Sequence, residues 1–62
     1  MLEADDVARA ARGMIVNHGQ RAASEAEKRA QNLLAFGETD TAASWRQIAQ
    51  TIHRMNSSNQ PK

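Results

Sequence analysis

From Ala42 onward the apolar residues return at steps of three and four, as Ala42, Trp45, Ile48 with Ala49, Ile52 and Met55. That period lines one face of an α-helix and neither face of a strand. The stretch from Leu33 to Met55 also holds the chain's only Phe and only Trp, so it is predicted to form the centre of the core. Inside it, Gly37 can take the left-handed conformation that ends a helix, and Glu38, Thr39 and Asp40 offer side-chain oxygens to start the next. A helix over about 40–55 is expected, joined to the preceding one by a turn short enough to make the two antiparallel.

Upstream, Ala22, Ala26, Ala30, Leu33 and Leu34 line one face of a predicted helix over about 20–36. The first half of that face is only methyl-deep and lets another helix come close. Glu25 with Lys28 or Arg29 supplies ordinary surface ion pairs. Ser24 and Glu27 have capping-box spacing, but a start at Ser24 discards the well-phased Ala22 and ranks second.

The first predicted helix spans about 4–17. Glu3, Asp5 and Asp6 place negative charge at its positive end, with Arg9 one turn beyond Asp5. Val7, Ala11, Met14 and Ile15 form its apolar stripe. Gly13 costs about 1 kcal/mol relative to Ala in such a helix, which leads us to expect a neighbouring backbone close against it. Asn17, His18 and Gly19 read as a stop. The stripe nevertheless stays in phase across Gly19 through Ala22, Ala26 and Ala30, so one long helix over 4–36 is the alternative. Such a helix is far above the mean of about 11 to 12 residues, and three helices are the preferred reading.

Sixty-two residues allow one domain, expected here over 1–56, with the polar run 57–62 as a disordered tail. The predicted fold is all-α, a small three-helix bundle; the alternative is a long helix plus a short one, a hairpin that dimerises into a bundle. Without Cys, such a scaffold must rely on regular packing or on oligomerisation. A net charge of +1 gives no strong field toward nucleic acid or an anionic membrane. No apolar run approaches the ~20 residues needed to cross a bilayer, and Glu3, Asp5 and Asp6 stand where a signal peptide would be basic. A cytoplasmic location is expected.

Little here carries reaction chemistry. His18 and His53 fall at the ends of the first and third helices, which run parallel in an up-down-up bundle, so the two imidazoles could be neighbours. Two His do not complete a zinc set, and each reads more simply as a favourable helix terminus. Glu38 and Asp40 flank a helix start, where carboxylates serve as caps. The serines lack a nucleophile elbow and the three isolated Gly form no phosphate loop. We expect no catalytic, cofactor-binding or metal residues and no enzyme. Trp45 to Ile52 looks like the first helix of a helix-turn-helix, yet the polar residues from Asn56 to Lys62 supply no recognition helix. Nucleic-acid binding is disfavoured on that ground, and a nucleic-acid-binding regulator is kept as the alternative from a different class.

Protein contact is the preferred class. Val16 and Phe36 fall off the apolar stripes, and Trp45 is large for a core lined by Ala. These three residues are the expected interface, either in a homodimer or against a larger protein for which the chain is an accessory subunit or regulator. The pattern Met14-Ile15, His18-Gly19, Ala22, Ala26, Ala30, Leu33, Gly37-Glu38, Ala42, Trp45, Ile48 and Ile52 resembles a group of short, uncharacterised helical proteins of alphaproteobacteria. Those share a central His-Gly, a Gly-acid turn and a Trp in the last helix; Glu38 stands where Asp is expected. The resemblance implies a bacterial, all-helical protein and supplies no catalytic residues.

Overall fold

The computed structural model describes residues 3–59. Helix α1 spans Ala4–His18, a single 3-10 turn covers Gly19–Arg21, α2 spans Ala22–Ala35 and α3 spans Thr39–Asn59. This is an all-α small bundle, elongated at 40 × 21 × 18 Å.

Gly19 decides between the two helical readings. Its backbone adopts φ 58° and ψ −125°, open in practice only to glycine, while its N–H still caps α1 by donating to the Ile15 carbonyl. The chain therefore breaks there, although the apolar stripe remains in phase across the break. Breaking lets Val7, Ala11 and Met14 turn onto the other helices instead of waiting for an external partner.

The second break is a Schellman motif. The N–H of Glu38 donates to the Leu33 carbonyl at 2.8 Å, that of Gly37 to the Leu34 carbonyl at 3.0 Å, and Gly37 has φ 84°. From this turn α3 runs back antiparallel to α2, so that Glu27 meets His53 and Arg29 meets Trp45. Helix α1 runs parallel to α3: Ala4, Val7 and Ala8 line one furrow with Gln47, Gln50 and Thr51, and Arg12, Ile15 and Val16 line the next with Met55. The C-terminal ends of α1 and α3 thus share one pole, and the α2–α3 turn forms the other.

Alanine dominates the interior. Ala11, Ala22, Ala26 and Ala42 are wholly buried, and Ala23, Ala30 and Ala49 nearly so, which allows the close helix approach their short side chains predicted. Val7, Met14, Ile48 and Ile52 are the larger buried residues, with Ile15, Trp45 and Met55 packed against them as partly buried neighbours. Ser44 is the one buried polar residue described, its hydroxyl donating to the Asp40 carbonyl at 3.3 Å. Such a bond back to the preceding turn satisfies the hydroxyl without a partner helix.

Four expectations change. Gly13 faces open space, with nothing within 4 Å of where a Cβ would stand, so no backbone approaches it. Leu34 is 46% exposed, while Leu33 is half-buried. At 3.6 residues per turn Leu33 lies about 20° from Ala22 around the helix, whereas Leu34 has drifted about 120° off that line. Helix α3 continues to Asn59, through residues 57–59 that composition assigned to a disordered tail. Extending an existing helix adds a hydrogen bond for each residue fixed, so polar residues can follow a stable nucleus. The rest of that expected tail, 60–62, lies outside the described residues. Finally, the Asp5–Arg9 and Glu25–Lys28 or Glu25–Arg29 pairs are not formed; the acid–base side-chain contact among the described residues is Glu27 with His53.

Candidate protein-interaction site

Two large apolar side chains stand almost free of the fold: Val16 is 83% exposed and Phe36 82%. Val16 projects from the last turn of α1 because, at about 100° per residue, it lies about 200° around the helix from the buried Met14. Phe36 is the C-cap residue of α2, and its own N–H is tied back to the Asn32 and Leu33 carbonyls. The cap fixes the backbone beside Gly37, and the ring stands exposed at the turn. Leu34 extends the apolar surface at the same end of α2.

Trp45 occupies a different position. One side of it packs against the buried cluster, and the guanidinium of Arg29 covers its ring at 5.1 Å from the centroid. The three residues singled out in the sequence are therefore not contiguous. Phe36 lies at the turn, Val16 lies at the opposite pole beside Met55, and Trp45 sits on α3 between them. Leu34, which the helical pattern assigned to the core, is the apolar surface residue that sequence reasoning missed; its angular drift from Ala22 was the available signal.

The grooves differ in character. A furrow of about 470 Å³ between α1 and α3 is lined by Arg12, Ile15, Val16 and Met55. One of about 330 Å³ between α2 and α3 is edged by Glu27, Gln31 and Arg46, with Ala30 and Leu34 as its apolar part. Both are open surface features.

His53 reaches α2, where its Nε2 stands 3.0 Å from Glu27 Oε2, with both side chains more than half exposed. That contact directs His53 across the bundle to α2, while His18 ends α1 half-buried. Among the described residues, no group of three or more His, Asp or Glu side chains could hold a metal ion, and no helix is long and apolar enough to cross a membrane.

No protein-family model, curated protein or solved structure matches the chain.

Proposed function

We propose that this chain works through protein–protein contact and associates with itself, as a small helical interaction module of a bacterial cytoplasm. The observation that carries the reading is the exposure of Phe36 and Val16, each above four-fifths, on a bundle whose interior is mostly alanine. A chain with so few large core residues would be expected to spend its single Phe inside. Leaving an aromatic outward suits an interface anchor, since aromatics are enriched at binding hot spots. It also suits the energetics of a domain this small, for which association is a common source of stability.

Thermal unfolding at increasing protein concentration tests the reading. Self-association predicts a midpoint that rises with concentration, because only the folded chain is bound. A midpoint independent of concentration would contradict it and favour the accessory-subunit reading, in which a larger protein covers the same residues.

A further inference from the structure

We infer that, granted the self-association proposed above, the contact is head to tail: the Phe36 turn of one copy docks into the Arg12–Ile15–Val16–Met55 furrow of the next. Three observations lead there. The exposed aromatic and the apolar furrow sit at opposite poles of one elongated molecule, so a single copy cannot satisfy both. Among the grooves described, this furrow has three apolar side chains, Ile15, Val16 and Met55, against one charged one, and it lies open to an incoming ring.

The third is charge. Between Arg29 and Arg46 the only charged residues are Glu38 and Asp40, next to Phe36 in the turn and the first turn of α3. At the other pole Arg12 stands on the furrow wall and Arg21 in the turn after α1; the acids next along the chain are Glu25 and Glu27 on α2, the latter held by His53, and Arg54 lines the neighbouring furrow with Ala4, Val7 and Ala8. The turn thus carries Glu38 and Asp40 beside Phe36, and the furrow carries Arg12 on its wall. An aromatic ring flanked by carboxylates faces an apolar furrow edged by the Arg12 guanidinium, a match of sign.

Burying about a tenth of the 4829 Å² surface on each copy would give roughly 1,000 Å² in total, the lower bound for a specific interface. The contact is therefore weak and reversible. We take the copies to stack pole to pole along the long axis rather than side by side as an antiparallel pair, which leaves a free turn at one end and a free furrow at the other, so that assembly continues into a ring or an open chain.

Two variants of the full chain test this, each altered at an exposed position and checked for helicity by circular dichroism. Phe36→Ser removes the knob and Val16→Glu blocks the furrow. Each alone is expected to be monomeric, with the wild type growing past a dimer as concentration rises and dissociating in about 1 M salt, where the screening length falls to about 3 Å. An equimolar mixture of the two variants is expected to form a dimer and stop, because each supplies the half the other lacks. If the wild type stops at a dimer, if Val16→Glu still dimerises alone, or if the mixture stays monomeric while the wild type associates, head-to-tail docking is wrong and self-association stands. A wild type that is monomeric throughout overturns both.

Discussion

Arg29 lies over the face of Trp45, its guanidinium carbon 5.1 Å from the ring centroid, and so closes with a charged side chain the part of the indole that the alanine-lined core leaves open. The single chain thereby provides for most of its largest side chain. Trp45→Ala is expected to cost about 2 to 3 kcal/mol, below the ~3 to 5 typical of a fully buried ring. Arg29→Ala is expected to cost about 0.5 to 1 kcal/mol, the size of an exposed cation–π contact. Urea unfolding measures both, and emission of the sole Trp should shift to the red in Arg29→Ala while the fold persists.

The architecture was readable where periodicity and glycine agreed. Val7, Ala11, Met14, Ala22, Ala26, Ala30, Ile48 and Ile52 are buried as their spacing requires, and both breaks fall at Gly19 and Gly37. Periodicity failed at Leu34, because a row of i+4 steps rotates away from the interface, and at Gly13, because a glycine's spacing does not say whether anything approaches it. Composition failed at 57–59, since it reports what a segment can bury and not whether a helix already runs into it. At the surface, the off-stripe positions of Val16 and Phe36 marked them as outward-facing, but only the parallel course of α1 and α3 shows that they lie at opposite poles.

Gly13 lies in the middle of α1 with open space around it. Gly13→Ala should therefore stabilise the fold by roughly 0.5 to 1 kcal/mol, through a stiffer unfolded chain and better helix propensity. In a domain this small that is a rise in melting temperature of about 4 °C or more. A loss of stability would show that a neighbour does approach this position.

Gly19 and Gly37 behave oppositely. Their φ values of 58° and 84° place any Cβ in strain, although neither site is crowded. Ala at either position is expected to cost about 1 to 2 kcal/mol. The cost at Gly37 should appear as fraying of the α2–α3 turn, read by faster amide exchange at Glu38, whose N–H closes the Schellman motif.

The Glu27–His53 contact spans two helices at 3.0 Å, but 60% of the His and 55% of the Glu side chain remain exposed. Solvent screening holds such a pair to a small contribution. A double-mutant cycle with Glu27→Ala and His53→Ala should return a coupling below about 0.5 kcal/mol. A coupling above about 1 kcal/mol would make the pair a structural clamp between α2 and α3.

Self-association is the central claim, and sedimentation equilibrium of the wild-type chain tests it most directly. The account predicts a weight-average mass that climbs above the 6.8 kDa of one chain as concentration approaches about 1 mM, and that falls back toward it in Phe36→Ser. A mass fixed at that of one chain over the same range would contradict it.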